Sequence, residues 1–287
     1  MSQAPFDALL PAEMAKKAED AGVAKATKHP RNTFMLAIMA GAFIGIAFIF
    51  YTVVTTGNSN MGWGANKMLG GLAFSLGLML VVVNGGELFT STVLTVVAKA
   101  SNKITWAQLA RNWVLVYVGN FVGAMALVGI MQVAQHYEQG PGTTHALGIQ
   151  YMSIADHKLH HGFFQAVALG AMANVMVCLG VWMTFSARTV TDKLLAVVLP
   201  VAMFVAAGFE HSIANMFQIP MAIFTKMRVD DTFWVEAGRA ASDFDALTWS
   251  NFLINNLIPV TIGNIIGGGL LVGWFYWFIY LRPSKKA

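Results

Sequence analysis

Gly208-Phe209-Glu210-His211-Ser212-Ile213-Ala214-Asn215 stands near the middle of an apolar run, Leu194 to Thr225, in which Glu210 is the only formally charged side chain. A counterpart, Gly85-Gly86-Glu87-Leu88-Phe89-Thr90-Ser91-Thr92, interrupts Met68 to Ala98, whose sole charge is Glu87. A straight bilayer-crossing helix takes about 20 apolar residues, so each run is too long for one simple crossing. Each also sets glycine, a carboxylate and hydroxyls where a membrane would be driest. A charge at the bilayer centre costs ~2.5–3.5 kcal/mol on insertion scales, so such groups usually face a cavity or a pathway. Two long apolar runs, each broken near its middle, predict a pair of discontinuous helices lining a transport route.

The composition agrees. The chain is 56% hydrophobic and 11% charged, with a mean hydropathy of +0.60, whereas a soluble domain carries about 25% charged residues. An all-α integral membrane protein is expected, and 287 residues leave room for about six spans with short loops. The net charge of +4 sits in loops and tails without a binding motif, so no nucleic-acid partner is expected. The single cysteine, Cys178, lies inside an apolar span and offers neither a disulfide nor a cysteine metal cluster. The first long apolar run starts only near Phe34, so the basic-then-apolar order of a cleaved signal peptide is missing.

Taken in order, residues 1–33 read as a cytoplasmic amphipathic segment, with Phe6, Leu9, Leu10 and Met14 at helical spacing. A helix lying at the membrane surface is one reading; a frayed tail is the other. A six-span channel domain, 34–281, follows. Its expected spans are Phe34–Thr55, the first broken run, Trp113–Val133, Phe163–Phe185, the second broken run and Phe252–Tyr280. A Gly/Asn/Ser loop (Gly57–Gly64), a polar loop from Gly140 to His161 and an amphiphilic loop (Arg228–Thr248) connect them, and 282–287 form a basic cytoplasmic tail. Six crossings put both termini on one side. That side would hold 13 of the 18 Lys and Arg residues, which places both termini in the cytoplasm by the positive-inside rule.

The chain also repeats itself. Asn112 to Ala124 matches Asn256 to Gly268 at an offset of 144, carrying Gly119-Asn120 onto Gly263-Asn264. Ala37–Ala42 matches Ala166–Ala171 at an offset of 129, and Glu87 pairs with Glu210 at 123. Three spans per repeat, about 34–135 and 160–281, force the second to insert upside down. Inverted repeats with breaks at matching positions point to a central transport site. For Asn120 a plainer reading is favoured, in which small residues pack the spans closely and the amide bonds across them.

The breaks themselves suit an anion. Unwinding near Gly86 and Gly208 is tolerable only beside protein or water. The half-helices restarting near Thr90–Thr92 and Ser212 would aim N-terminal N–H groups at mid-membrane from opposite sides. Thr90, Ser91, Thr92 and Ser212 are suitable capping residues there. His211 titrates near physiological pH and could hydrogen-bond or protonate an incoming anion; the alternative is a histidine merely bonded to backbone at a helix break.

The paired breaks, Gly85–Thr92 and Gly208–Phe217, resemble the signatures of the formate–nitrite transporter family. So do Lys28-His29-Pro30, Ala98-Lys99-Ala100 and Pro259–Gly269, and the resemblance runs from about Pro5 to Leu281. It implies an aquaporin-like fold of two inverted three-helix repeats, assembled as a homopentamer in a bacterial inner membrane. Each protomer would have its own pore for formate and related small monovalent anions. No cofactor, metal or enzymatic activity is implied. The chain carries no Asn-Pro-Ala motif, which disfavours a true aquaporin. By resemblance, His211 is the central polar group, paired with Thr90, with Asn174 and Asn264 nearby. The same resemblance carries apolar constrictions onto Phe74, Leu78, Leu88 and Phe89 on one side, and Val177 and Phe204 on the other. Lys158 looks like an anion-attracting lysine at the outer vestibule, though a solvated loop lysine fits too. Glu87 and Glu210 would repel an anion, so they are expected to bond freed backbone amides or neighbouring chains. Nitrite or hydrosulfide serves the same site physics as formate.

A different class is suggested by Asp156-His157-Lys158-Leu159-His160-His161, which has the look of a histidine box in membrane di-iron enzymes. Such a metal site needs several boxes, and His29, His136, His145 and His211 stand isolated in sequence.

Overall fold

The computed structural model describes residues 8–58, 60–141 and 145–283, whose regular structure is all helical, with no strand among the described residues. Phe6, Pro5, Gly142 and most of the basic tail lie outside them. α1 (Pro11–Thr27) leads through a two-residue link into α2 (Pro30–Thr55). α3 (Trp63–Asn84) and α4 (Phe89–Ala100) flank the first interruption, and α5 (Trp106–Val133) follows. The second half runs α6 (Ala146–Leu159), α7 (Phe163–Thr184), α8 (Val190–Ala206), the second interruption, then α9 (Ser212–Arg228). A short α10 (Asp231–Ala237) precedes α11 (Asn251–Tyr280).

By length and composition, α2, α3, α5, α7 and α11 are each able to cross a membrane. Their outward faces expose Phe50, Val114, Ile130 and Ile254, as does α8 with Leu195 and Leu199. So large an apolar exterior suits lipid rather than water. Helix boundaries departed from the sequence reading wherever a polar first turn was capped. α2 starts at Pro30 rather than Phe34, because proline suits the first turn and His29 Nδ1 accepts the Arg31 N–H at 3.3 Å. α5 starts at Trp106 rather than Trp113, where the Thr105 hydroxyl and Gln108 side chain satisfy each other's backbone N–H groups.

Two segments differ more deeply. The polar loop expected from Gly140 to His161 contains α6, whose buried residues Leu147, Tyr151, Met152, Ala155 and Leu159 recur at helical spacing beneath its charged end. The N-terminal segment is helical from Pro11, and of the expected apolar positions Met14 packs against the core and Leu9 is half-buried, while Leu10 is exposed. Its buried stripe is Ala15, Ala18, Gly22 and Ala26, small enough for Gly22 to close on Ala98 and Thr95 of α4.

α2 packs on α3 and α5, and α7 packs on α8 and α11 in the same manner. These contacts are close because backbone meets backbone. Gly119 faces Phe34 and Ala37, while Gly263 faces Val167 and Gly170. The contacts correct the expected register of the repeat: Phe34 corresponds to Val167 and Ala37 to Gly170, so α2 maps onto α7 at an offset of 133, not 129. Four residues are about one helical turn, so the sequence match at 129 set the same small-residue face one turn out of place.

The two helix ends at the breaks need the left-handed region, which Gly85 (φ 75°) and Gly208 (φ 74°) supply. A Cβ at either would meet nothing within 4 Å. Gly85→Ala and Gly208→Ala should therefore cost about 1–2 kcal/mol each through the backbone alone. Gly41→Ala and Gly263→Ala, where the methyl would run into the backbone of Asn120 or Val167, should cost more. Thermal unfolding in detergent checks that order, and a Gly41→Ala protein as stable as Gly85→Ala would contradict it.

Candidate permeation site between two interrupted helices

The two breaks are built from the same parts. Gly86 N–H closes the end of α3 on Val81 O at 2.9 Å, and Phe209 N–H closes α8 on Phe204 O at 3.0 Å. Glu87 N–H then reaches across to Leu36 O of α2 at 3.2 Å, as Glu210 N–H reaches Leu169 O of α7 at 3.3 Å. The first N–H of each restarting helix is taken by an asparagine: Phe89 N–H by Asn120 Oδ1 and Ser212 N–H by Asn264 Oδ1, both at 2.9 Å. Asn120 Nδ2 donates to Ala37 O and Glu87 O, and Asn264 Nδ2 to Gly170 O and Glu210 O, all within 2.7–3.0 Å. Asn120 thus does bond across spans, and what it bonds is the break.

The expected hydroxyl caps are not used. Leu88 and His211 occupy the two capping positions. Thr92 Oγ1 donates to Asn112 Oδ1 at 3.0 Å, Ser91 Oγ donates to Leu88 O, and Ser212 Oγ is buried without a partner. Phe89, Ser212 and Ala214 N–H groups are all taken within the protein, so these expected anion donors are not free.

His211 is buried, and its Nδ1 accepts the Ala214 N–H at 3.0 Å. A neutral imidazole accepting at Nδ1 carries its proton on Nε2. That N–H donates to Thr90 Oγ1 at 2.9 Å, joining the starts of α4 and α9. The Thr90 hydroxyl hydrogen is thereby left for a further acceptor. The ring lies over Phe204, centroids 5.9 Å apart and planes 17° apart.

A vestibule of about 270 Å³ leads to this point, bordered by His157 and Lys158 of α6, Lys67 of α3, and Gly208 to His211. Phe74, Phe204 and His211 close its inner end and also line a second, narrow cavity of about 10 Å³, room for about one water. Ile44, Leu78, Leu88, Val177 and Val201 complete the narrow cavity. Five of the six expected constriction residues therefore come together. Phe89 does not; its ring packs edge-on against Tyr117 and Trp113. Ile44 and Val201 escaped the sequence reading, although Ile44 is the repeat counterpart of Val177 at an offset of 133 and Val201 that of Leu78 at 123.

Thr90, Asn174 and Asn264 are near His211 but line neither cavity. Asn174 Nδ2 donates to Asn264 O at 2.6 Å, and Asn264 is used up holding the break. A buried amide in an apolar bundle takes the closest carbonyl it can reach. Lys158 does border the vestibule, but not as a free cation: Nζ donates to Glu210 Oε1 at 2.7 Å. The two glutamates likewise do not bond freed amides. Lys25 and Lys28 both hold Glu87 at 2.5 Å. Lys158, Asn215 and Asn256 hold Glu210 at 2.7, 2.7 and 3.3 Å. A buried carboxylate needs charge compensation more than it needs amides.

The backbone correspondence extends to the surface helices. Asn112 Nδ2 donates to Lys25 O and its counterpart Asn256 Nδ2 to Lys158 O; the two lysines are again 133 residues apart, so α1 and α6 are counterparts.

Two interrupted helices whose starts meet over a narrow apolar passage, with a vestibule leading in, define a membrane transport protein. The formate/nitrite transporter family pattern matches residues 12–278. "Formate channel FocA" of Escherichia coli (strain K12) is 59% identical over 280 residues, covering 98% of this chain and 97% of that protein. "Formate channel FocA" of Haemophilus influenzae is 44% identical, covering 93% of each. The solved structure "Pentameric formate channel with formate bound" superposes with a TM-score of 0.83 at 57% identity, covering 88% of this chain and 98% of that one. The chain belongs to the formate/nitrite transporter family.

Removing one partner of a buried ion pair strands the other. Lys158→Met should lower stability by about 3 kcal/mol, and adding Glu210→Gln should recover most of that loss. Unfolding of the two variants in detergent tests this, and a double variant less stable than the single one would contradict it.

Proposed function

We propose that this chain is a passive, pH-dependent channel for formate and similar small monovalent anions. The observation that carries the reading is His211, which lines both the vestibule and the narrow apolar passage and is hydrogen-bonded to the buried Thr90 hydroxyl behind them. The full-length similarity to relatives named formate channels supports the substrate.

The chemistry follows from desolvation. A carboxylate leaving water for the apolar passage becomes harder to keep charged. At the Phe74–Phe204–His211 threshold it reaches the edge of the His211–Thr90 pair and accepts a hydrogen bond from it. That hydrogen bond, or a proton delivered through the pair, lets the permeant cross the narrow cavity as a neutral or nearly neutral species. The apolar residues then exclude hydrated cations.

In this reading α3–α4 and α8–α9 each make one broken crossing, giving six in two inverted, aquaporin-like repeats. The excess of Lys and Arg at the termini, the α4–α5 link and the α7–α8 link supports cytoplasmic termini in a bacterial inner membrane. The vestibule below α6 then faces outward. The pentameric assembly of the similar solved structure supports five copies, each with its own pore.

Flux into proteoliposomes tests the proposal, with formate, nitrite, hydrosulfide and glycerol offered in turn and an internal pH dye present. His211→Phe should lose formate flux by tenfold or more. Thr90→Val should lose most of it while leaving the His211–Ala214 cap intact. Unchanged formate flux in His211→Phe would return this histidine to a structural role, and glycerol flux without anion flux would overturn the channel assignment.

A further inference from the structure

The two breaks are guarded by the same carboxylate but by different cations. Glu87 is held by Lys25 and Lys28, each at 2.5 Å. The 133-residue register carries Lys25 onto Lys158 and Lys28 onto His161. Lys158 keeps the contact of its counterpart, 2.7 Å from Glu210 Oε1. His161 does not: its Nε2 lies 3.8 Å from the same oxygen, buried and without a hydrogen-bond partner. Where one site has two permanent cations, the other has one permanent cation and one titratable group. The formal charge of Glu87 with its lysines is +1, and that of Glu210 with Lys158 is zero while His161 is neutral.

We propose that His161 is a positioning residue that sets the charge of the vestibule with pH. Protonated, it shares Glu210 with Lys158 as Lys28 shares Glu87 with Lys25, and the neutral cluster becomes a cationic one that draws small anions inward. The assignment rests on the vestibule being the anion route. Its surroundings are accounted for. The His157 ring stands edge-on to His161 at 5.2 Å, and His160 is turned away, its Nδ1 2.8 Å from Asp156 O. Asn215 and Asn256 occupy the other Glu210 oxygen, and Lys67 borders the vestibule from α3. Burial pushes His161 below the ordinary histidine value; Glu210 opposes this, while His157, Lys158 and His160 add to it. The residue is therefore neutral at pH 7 and gains its charge only on acidification.

The test uses the full chain in liposomes, with equal pH on both sides and formate flux followed from pH 5.5 to 8. Dividing the wild-type rate by that of His161→Gln at each pH cancels the changing fraction of formic acid. That ratio should climb roughly two- to fivefold as the pH falls, the scale of one added charge at a partly buried mouth. His161→Lys should exceed wild type at pH 8 by a similar factor. A flat ratio, or a His161→Lys protein no faster than wild type at pH 8, overturns the proposal. If a variant fails to assemble, the salt dependence of wild-type flux decides instead. It should be steeper at pH 5.5 than at pH 8, and equal slopes overturn the idea. Wild-type protein that passes no formate at any pH would remove the channel reading itself, a result distinct from flux with a flat ratio.

Discussion

A helix broken inside an apolar bundle leaves N–H and C=O groups that water cannot reach, and the rest of this structure depends on satisfying them. Two asparagines do most of that. Asn120 on α5 and Asn264 on α11 each accept the first N–H of a restarting helix and donate to two carbonyls, one in the break and one in the neighbouring helix. Each amide therefore ties three segments at one point. The close backbone contacts of Gly119 and Gly263 bring the amides within reach. Without those glycines, helices spaced by ordinary side chains would stand too far apart for so short a side chain.

With the breaks held, the two share the same set of backbone hydrogen bonds, and what distinguishes them is the side chains placed there. The capping position is Leu88 in one half and His211 in the other, so the passage has one polar wall and one apolar wall. The second basic residue beside the guarding carboxylate is Lys28 in one half and His161, 3.8 Å away, in the other. Both departures replace a residue of fixed character by a histidine; His211 lies at the inner end of the vestibule, and His161 lies beside Glu210, which borders it. A symmetric scaffold supplies precision; the two substitutions supply direction and chemistry.

Much of the site was legible before any coordinates. Glu87 and Glu210 stood out because a lone charge in an apolar run is costly, and His211 because it sat beside one. Phe74, Leu78, Leu88, Val177 and Phe204 line the narrow cavity as family resemblance implied. The misses have a common cause. Phe89, Asn174 and Asn264 were assigned to the pathway, and Ile44 and Val201 were not, because residue type does not say which way a side chain points. Lys158 read as a free cation because its partner lies 52 residues away in the chain. The register error of one helical turn in α2 and α7 hid both the Ile44–Val177 pair and the Lys28–His161 pair.

By itself, the sequence determined the class of protein: apolar runs of spanning length, two interrupted at matching glycine–glutamate positions, and an internal repeat of motifs along the chain. Those properties are local or periodic, and hydrophobic burial reads them directly. Only the tertiary structure decided which amide holds which break, which cation neutralises which carboxylate, and which tautomer His211 adopts. Each of these depends on hydrogen bonds between segments far apart in the chain, and such bonds are chosen by distance and angle, which no spacing along the sequence encodes.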